Sequence, residues 1–352
     1  MNARLDVLTS PMAAHGCHTG YGRVAEFLAG AHCHGETPVG RGWHRLHRLI
    51  MRAGCPARYY RPYHLRFEIG VMRRTLGARP GLAHFLYGED QYWLLSRWRP
   101  RRLRTVVTLH QPPSTQAELL RDTAHLRRAD GLIVLSREQE RWAARHAPEP
   151  RTRFIPHGVD TEFFCPAGTP PAGPPWQVLV VGGWQRDHDA IAACLRDCLA
   201  AAPRDWRFVL VGCGAESARY QGWPVALHGR ISDEELLALY RSSHAALVVV
   251  KAAAANNALL EAMACGCPPL VSDVGGVPDY LFDAAWRVRH DPGAAGGPQI
   301  AARLRALLAA DPDGAGTRIR AREHAGRFAW REIGRRTLEF HAEFVPELGR
   351  PA

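Results

Sequence analysis

The segment 256–281, NNALLEAMACGCPPLVSDVGGVPDYL, combines a helix start with a carboxylate about one turn inside the helix. Asn256 or Asn257 is a good N-cap for the Ala-, Leu- and Glu-rich run, and Gly266 with the prolines after it ends that run. The free backbone N–H groups at a helix start carry partial positive charge, which suits a diphosphate. Glu261 lies where its carboxylate would accept hydrogen bonds from ribose hydroxyls. A plain capped helix with an exposed Glu261 is the alternative for this segment.

Glycines follow two of the apolar runs in the second half of the chain. Gly182 and Gly183 follow the run VLVV, and Gly212 and Gly214 follow the run FVLV, with Cys213 between them. Glycine lets a loop approach a ligand closely, although an ordinary tight turn fits these residues equally well. Further along, the sequence SDEE at 232–235 has the spacing of a capping box, which predicts another well-defined helix start.

Short apolar runs alternate with helix-patterned segments along the whole chain. Where nearly every position of a run is apolar, we predict a strand of a parallel sheet that helices cover on both faces. The predicted strands are Leu5–Leu8, Thr105–Leu109, Gly131–Leu135, Val178–Val181, Phe208–Val211, Val225–Leu227, Ala245–Val250 and Pro269–Ser272. In doubly wound sheets, ligands bind at the carboxyl ends of such strands. The pattern therefore predicts two α/β domains with a cleft between them.

Length and charge also divide the chain in two. A chain of 352 residues exceeds what one hydrophobic core usually supports, and the five prolines of residues 166–176 indicate a semi-rigid linker. The net charge is +11 over residues 1–165 and zero over residues 166–352. This basic half raises a nucleic-acid-binding protein as an alternative. We expect no nucleic acid partner, because the sequence contains no recognised binding module.

The cysteines and the apolar runs bear on the location of the protein. Nine cysteines, an odd number without the spacing of a zinc site, do not indicate a disulfide framework. Met1–Leu8 lack the basic and apolar parts of a signal segment, and no run of about 18 apolar residues predicts a membrane span. We therefore expect a cytoplasmic protein, with peripheral contact at the inner face of the membrane left open.

Further phrases follow one another in an order that is typical of a known family. They are HGCHTGYGR at 15–23, TLHQPP at 108–113, ADGLIVLS at 129–136, IPHGVDTEFF at 155–164, VLVVGGWQRD at 178–187, FVLVGCGAES at 208–217 and LHGRISDEELLALYRSSHAALV at 227–248. With the segment 256–281, they resemble glycosyltransferase family four, the retaining enzymes of the GT-B fold, over roughly residues 5–285.

The resemblance implies a fold and a reaction. The fold would consist of two Rossmann-like doubly wound domains facing each other across a cleft. Residues 1–165 with a last helix at about 328–352 would bind the acceptor, and residues 166–327 the donor. The reaction would move a sugar from a UDP- or GDP-linked donor to an acceptor hydroxyl with retention, without a metal or another cofactor. Glycan, glycolipid or natural-product biosynthesis would be its setting.

The resemblance also assigns basic residues to the donor diphosphate. Family members place one after the first strand of the second domain and another just before the donor helix, and Arg186 and Lys251 fall near those positions. Lys251 is the only lysine of the chain beside 44 arginines. An ammonium and a guanidinium are suitable partners for a leaving diphosphate. A solvated helix start for Arg186 and a surface charge for Lys251 are the alternatives.

One departure from the family and one pair of aspartates leave other functions open. The family usually carries two glutamates with seven residues between them, and Ala253 stands where the first would be, eight positions before Glu261. A nucleotide-sugar-binding protein with weak or no catalysis is therefore an alternative, with Asn256 and Asn257 supplying amide contacts to the donor. Asp187 and Asp189 have the spacing with which single-domain GT-A transferases hold a divalent metal. We interpret them instead as acids favoured by a helix start.

The remaining site residues are also carried over from the family. The backbone of Gly229, Arg230 and Ile231 would hold the base of the donor. His110, at the end of a predicted strand, would touch the donor sugar, unless it is a structural histidine. The loop His15–Arg23, with Gly20 and Gly22, would line the diphosphate from the opposite side. Gly182 and Gly212 are further donor-binding candidates, in loops that could approach the donor closely.

Acidic and basic residues of the first half suggest an acceptor side. Glu89 and Asp90 could orient an acceptor hydroxyl, although an exposed acidic turn is the alternative. Arg41, Arg45, Arg48 and Arg52 recur at helical spacing, and aromatic residues are interleaved with arginines further on. Such a surface suits an anionic acceptor or the interface of a membrane that presents a lipid-linked acceptor. A solvated basic face is equally compatible with this pattern.

Overall fold

The computed structural model describes residues 3–9, 16–35, 37–75, 80–169, 171–312 and 314–349. These residues form two compact units. The first unit contains described residues from 1–15, 20–157 and 330–352, and the second contains residues 16–19 and described residues from 158–329. Each unit is built on a six-stranded sheet whose neighbouring strands all run parallel.

The strands are β1 Arg4–Leu8, β2 Ala31–His34, β3 Gly81–Phe85, β4 Leu103–Leu109, β5 Gly131–Val134, β6 Arg151–Phe154, β7 Trp176–Val181, β8 Trp206–Val211, β9 Val225–His228, β10 Ala245–Val248, β11 Pro269–Ser272 and β12 Arg287–Val288. Their order is β2-β1-β3-β4-β5-β6 in the first unit and β12-β11-β10-β7-β8-β9 in the second.

The helices are α1 Arg41–Arg52, α2 Pro62–Thr75, α3 Gly88–Gln91, α4 Leu94–Arg97, α5 Pro113–Leu119, α6 Arg137–His146, α7 His188–Ala201, α8 Asp233–Ser242, α9 Asn257–Ala264, α10 Gly297–Ala310, α11 Ala315–Ala325 and α12 Trp330–Ala342. Shorter 3₁₀ turns lie between them, among them Tyr21–Phe27 and Gly214–Tyr220. Over the described residues, no helix is both long and apolar enough to span a membrane.

The sequence does not predict four of the strands, namely β2, β3, β6 and β12. β2 (AHCH) and β6 (RTRF) are edge strands with exposed polar side chains, so they lack a continuous apolar run. β12 has only two residues. β3 is fully buried, but His84 interrupts its apolar pattern. That histidine is accommodated by hydrogen bonds with Thr108 at 2.8 Å and with His341 at 3.1 Å.

The two units divide the chain at positions that differ slightly from the predicted domains. The break falls after His157, not at the linker, because residues 158–165 pack on the second unit. Phe164 in this segment is fully buried in the second unit and makes an edge contact with Tyr240. Near the carboxyl end, Trp330 opens the helix α12, which packs on the first unit.

Candidate functional site

The start of α9 in the second unit has the local geometry that the sequence predicts. Asn256 is the N-cap, and its side-chain oxygen accepts a hydrogen bond from the backbone N–H of Leu259 at 3.2 Å. The helix ends at Ala264, and Gly266 follows with a φ of 69°, a left-handed conformation that favours glycine. The first turn of α9 also has backbone N–H groups without an intrahelical partner, as every helix start does.

Arg186 is buried beside this helix start. Its guanidinium donates to the Val181 carbonyl at 2.8 and 3.0 Å and to the side-chain oxygen of Asn256 at 3.4 Å. Burial lowers the pKa of Arg186 to about 10, although the nearby Glu261 and other groups act in the opposite direction. The arginine is charged at neutral pH, and the solvated helix start that the sequence left open for Arg186 is wrong.

The loop that carries Arg186 has an unusual backbone. Gly182 has a φ of 84°, and Gln185 has a φ of 57°, the one non-glycine residue with positive φ among the described residues. Such conformations are costly for side chains other than glycine and often occur at functional sites. The loop is held by the bond from the Lys251 N–H to the Gln185 carbonyl at 2.8 Å. Trp184, at its tip, is 75% exposed.

Glu261 is buried, with 4% of its surface exposed, so the alternative of a plain capped helix with an exposed Glu261 is wrong. The Tyr240 hydroxyl donates to Glu261 Oε2 at 3.0 Å. Burial is the main reason why the pKa of Glu261 rises to about 7, and the negative charge of Asp233 adds to it, while Tyr240 and Arg186 oppose it. The carboxylate, on α9, is near enough to Arg186 to feel its charge, but it is buried, where a negative charge is costly.

Residues 16–19 belong to the second unit, which the sequence did not predict. The His18 N–H donates to Asp233 Oδ2 at 3.0 Å, and the His18 ring contacts Asp160 Oδ2 at 2.7 Å. The same ring stacks on Phe163 with a centroid distance of 3.6 Å. Gly16 lies so close to Asp233 that a Cβ atom would be 1.7 Å from its Oδ1. A side chain at this position would require the Asp233 carboxylate, which also accepts from the His18 N–H, to shift.

Gly20 belongs to the first unit, where it has a φ of 93° and precedes the turn Tyr21–Phe27. Gly22 lies within that turn, and a Cβ there would meet nothing within 4 Å. The other end of the predicted loop, His15, lies outside the described residues. Segment 16–19 is thus the part of this loop that contacts Asp233 in the second unit.

The remaining predicted donor residues line the same edge of the second unit, at the carboxyl ends of its strands. Lys251 follows β10 and is exposed, and Asn257 is the first residue of α9. Gly212 follows β8 with a φ of 65°. Arg230 is exposed, and Ile231 is half-buried against the core just before α8. Ser232 and Glu235 form the predicted capping box of α8, with bonds of 2.8 and 3.1 Å.

Ala253 lies in the core of the second unit. It is buried, and its carbonyl accepts a hydrogen bond from the Gly276 N–H at 2.8 Å. The position therefore supports the loop at 274–277 through its backbone and offers no polar side chain to a ligand.

Asp187 and Asp189 have the roles of helix-start acids. Asp187 is the N-cap of α7, with Oδ1 accepting from the Ala190 N–H at 3.2 Å and Oδ2 from the Gly293 N–H at 2.8 Å. Asp189 forms an ion pair with Arg219 at 2.7 Å. Within the described ranges, no three His, Cys, Asp or Glu side chains are grouped as metal ligands would be.

In the first unit, His110 follows β4 and is surrounded by aromatic rings. It stacks on Tyr87 and meets the edge of Tyr21, with centroid distances of 4.5 and 4.6 Å. His110 Nε2 donates to the Leu86 carbonyl at 2.6 Å, which fixes the orientation of the imidazole.

Glu89 supports the backbone that carries His110. It is buried and accepts hydrogen bonds from the N–H groups of His110 and Gln111 and from the Gln116 side chain. Burial raises the pKa of Glu89 to about 7. The exposed acidic turn that the sequence left open is therefore wrong for Glu89. Asp90 is half-buried, and its Oδ1 has no hydrogen-bond partner among the described residues. Burial raises the pKa of Asp90 to about 6, although Arg61 opposes this.

Comparison with known proteins shows which glycosyltransferases this chain resembles. Residues 176–309 match the model for glycosyl transferases group 1. A D-inositol 3-phosphate glycosyltransferase of Streptomyces bingchenggensis is 26% identical over 79% of this chain and 70% of its own length. A second such enzyme, from Catenulispora acidiphila, is 24% identical over 80% of this chain and 76% of its own length. By these matches the chain is similar to the glycosyltransferases of family four. It is an enzyme of the hexosyltransferase type.

Solved structures show the same fold. Sucrose-phosphate synthase from Thermosynechococcus elongatus has a TM-score of 0.71 and 20% identity, covering 97% of this chain and all of its own. An α,α-trehalose-phosphate synthase (UDP-forming) from Burkholderia vietnamiensis has a TM-score of 0.67 and 16% identity, covering 98% and 100%. Identities this low establish the fold alone. Together with the two parallel sheets, they confirm the predicted GT-B architecture of two Rossmann-like domains.

Proposed function

We propose that this glycosyltransferase moves a sugar from a UDP- or GDP-linked donor to an acceptor hydroxyl, with retention of configuration and without a metal ion. The observation that carries the proposal is the buried guanidinium of Arg186 at the capped start of α9, 3.4 Å from the Asn256 side chain. A cation and a set of helix N–H groups would together stabilise the negative charge that develops on a departing diphosphate.

The other donor residues take complementary roles in this proposal. The exposed ammonium of Lys251, at the end of β10, would reach the outer phosphate. Glu261 would accept hydrogen bonds from ribose hydroxyls, which its raised pKa of about 7 makes dependent on pH. The backbone around Arg230 and Ile231 would hold the base, and His110 in the first unit would contact the transferred sugar.

A metal-dependent reaction at Asp187 and Asp189 is less well supported. Both carboxylate oxygens of Asp187 already accept backbone N–H groups, and Asp189 is paired with Arg219. A metal there would have to displace a helix cap and an ion pair. Catalysis without metal therefore needs other positive groups, which Arg186, Lys251 and the helix start would supply.

A second candidate function is nucleotide-sugar binding with weak catalysis. Ala253 is buried in the core, so the position that carries a glutamate in the family contributes no carboxylate here. If that carboxylate is needed for turnover in the family, this chain would bind a donor without transferring its sugar efficiently.

The acceptor class is also a proposal. The relatives named above are described as D-inositol 3-phosphate glycosyltransferases, and the matching structures as sucrose-phosphate and trehalose-phosphate synthases. We propose a phosphorylated acceptor, either a free sugar phosphate or a lipid-linked one, in cytoplasmic glycan, glycolipid or natural-product biosynthesis. Asp90, rather than Glu89, would orient the acceptor hydroxyl, because Asp90 Oδ1 has no hydrogen-bond partner among the described residues.

A transfer assay tests these proposals. Nucleotide sugars are first screened by thermal shift, and the one that stabilises the protein most is offered with sugar phosphates, with and without EDTA. We expect transfer that EDTA does not reduce, and a product whose anomeric configuration by NMR equals that of the donor. Binding without transfer favours the second candidate. Activity that EDTA abolishes and Mn²⁺ restores, or an inverted product, contradicts the proposed mechanism.

Peripheral membrane contact is proposed through α1. Trp43, Ile50 and Met51 of this helix pack against the core, while its four arginines at 41, 45, 48 and 52 are exposed. Leu46 and Leu49 are 39% and 61% exposed beside them. A helix that presents both arginines and leucines to solvent suits the interface of an anionic membrane.

Vesicle sedimentation tests this contact. Replacing the four arginines of α1 with Gln should lower binding to anionic vesicles at low salt, since each basic residue contributes about 1 kcal/mol near such a surface. A matched control replaces four exposed arginines elsewhere, Arg121, Arg141, Arg204 and Arg207, and removes the same charge. Wild-type protein that stays in the supernatant at low salt, or an equal loss in the control, refutes the contact.

A further inference from the structure

A cavity of about 430 Å³ lies in the first unit, beside the edge strand β2. It is walled by the end of β2 and the residues after it, by α1 and by one face of α2. Its volume falls in the range of roughly 300–1,000 Å³ that is typical of small-molecule sites. The described residues that line it are Cys33, His34, Gly35, Thr37, Trp43, Tyr63, Arg66, Phe67, Ile69, Gly70, Arg73 and Arg74. None of the donor residues is among them.

Three arginines of α2 give this cavity a positive wall. Arg66 and Arg73 are seven residues apart, about two helical turns, and so lie on the same face of α2. Both are exposed, and among the described residues neither forms an ion pair. Arg66 is within 3.5 Å of the Thr37 hydroxyl, which orients the guanidinium along the cavity. Two guanidiniums are thus available to an anion.

The nearby carboxylate does not neutralise them. Asp6 is buried, and its carboxylate already contacts Arg4 at 2.8 Å, His34 at 2.9 Å and Arg74 at 3.0 Å. Burial alone would raise the pKa of Asp6, but the bonds from His34 and Arg4 and the charge of Arg74 lower it to about 2. No acid is among the described residues that line the cavity; Glu36, in the adjoining segment, lies outside the described residues.

Gly70 lies next to Arg74 on α2. A Cβ at Gly70 would be 3.1 Å from Arg74 Nη1, so a larger residue would require the guanidinium to shift slightly. The small residue at this position of α2 thus leaves room for a third cation, which Asp6 holds in place.

The cavity also has an aromatic and apolar lining. Trp43 of α1 and Tyr63, Phe67 and Ile69 of α2 line it, and Trp43, Phe67 and Ile69 also pack with the core of the first unit. Side chains fixed in this way offer a preformed surface to a flat or apolar group. An inorganic anion would use only the arginine wall and leave this surface in contact with water.

We infer that this cavity binds a phosphate ester that carries an apolar or aromatic group, with Arg66 and Arg73 on the phosphate and Trp43 on the apolar part. Arginines recognise phosphate oxygens by paired, charge-assisted hydrogen bonds. Such a group occurs both in soluble aryl phosphates and in the headgroup region of phospholipids. Binding at this cavity does not depend on the proposed transfer reaction.

Isothermal titration of the full chain tests the inference with three probes: inorganic phosphate, phenyl phosphate, and monomeric dihexanoyl phosphatidic acid below its micelle concentration. We expect at least one organic phosphate to bind about tenfold or more tightly than inorganic phosphate, and the tighter of the two identifies the source. Arg66→Gln with Arg73→Gln should weaken that binding by about tenfold or more. The control pair Arg121→Gln with Arg141→Gln removes the same charge from the same unit and should leave it unchanged.

A third variant separates the apolar wall from the charges. Trp43→Leu keeps an apolar side chain for packing but removes the flat ring, and should weaken phenyl phosphate several-fold while leaving inorganic phosphate unaffected. The inference is overturned if neither organic phosphate binds, if inorganic phosphate binds as tightly as both, or if the control pair loses as much affinity as the Arg66 and Arg73 pair. Unaltered circular dichroism spectra establish that each variant is folded.

Discussion

Replacing Glu261 with Gln tests the electrostatics of the donor site directly. The substitution keeps the size of the side chain, and its amide oxygen can still accept the hydrogen bond that Tyr240 donates to Glu261 at 3.0 Å. What it removes is the ionisation. Any difference between the two proteins that varies with pH therefore reports the charge of residue 261.

The magnitude follows from the pKa. The pKa of Glu261 rises from its usual 4.5 to about 7 in the folded protein, mainly because the group is buried. A carboxyl whose folded pKa is raised contributes stability that is present below its unfolded pKa and is lost as pH rises through the folded pKa. Between pH 5 and pH 8, the free energy of unfolding of the wild type should thus fall by about 2–3 kcal/mol relative to Glu261→Gln.

Urea unfolding followed by circular dichroism at pH 5, 6, 7 and 8 measures this difference. The buried Glu68 and Glu89 also have a pKa raised to about 7, but they titrate in both proteins and cancel in the comparison. Glu234→Gln, an exposed glutamate on α8, is the matched control and should follow the wild type. If the wild type and Glu261→Gln differ by the same amount at every pH, Glu261 does not ionise in a buried setting and the reasoning fails.

Three further predictions concern the same site. Asn256→Asp should raise the Tm, because a carboxylate is a good N-cap and would lie near Arg186. The same carboxylate would repel a diphosphate, so UDP or GDP should bind about tenfold or more weakly. Unchanged affinity by calorimetry would place the diphosphate elsewhere. Lys251→Ala should leave the Tm unchanged and lower kcat about tenfold or more, whereas Lys251→Arg should retain most of the rate. A wild-type kcat in the Ala variant would exclude a role for the ammonium. Gly16→Ala should unfold or displace segment 16–19, because its Cβ would be 1.7 Å from Asp233 Oδ1. Trypsin should therefore cleave at Arg23 faster than in the control Gly40→Ala, whose Cβ meets nothing within 4 Å. Equal cleavage rates would contradict this packing.

Local sequence rules account well for the elements that carry the donor residues. Asn256 caps α9, Asp187 caps α7, and Ser232 with Glu235 caps α8, each as predicted. These features depend on residues three positions apart at most, so the sequence contains all that is needed to predict them. The buried strands β4, β5, β7 and β8 were likewise evident as continuous apolar runs.

The environment of the site residues could not be predicted in the same way. The hydrogen bond between Tyr240 and Glu261 spans 21 residues, and the one between His18 and Asp233 spans 215. A charged side chain is rarely buried unless it has a partner. Sequence alone therefore favours exposed positions for Glu261 and Arg186. Those partners come from other helices and loops. The edge strands β2 and β6 were missed because pairing with one neighbour requires no apolar pattern.

The sequence by itself determined the two α/β domains, the helix starts that offer N–H groups to an anion, and the family to which the chain is similar. The tertiary structure decided which charges are buried. Folding brings Arg186, Asn256 and Glu261 together at the start of α9 and excludes water from the guanidinium and the carboxylate. Desolvation disfavours a charge by an amount that depends on every surrounding atom, and only the folded chain specifies those atoms.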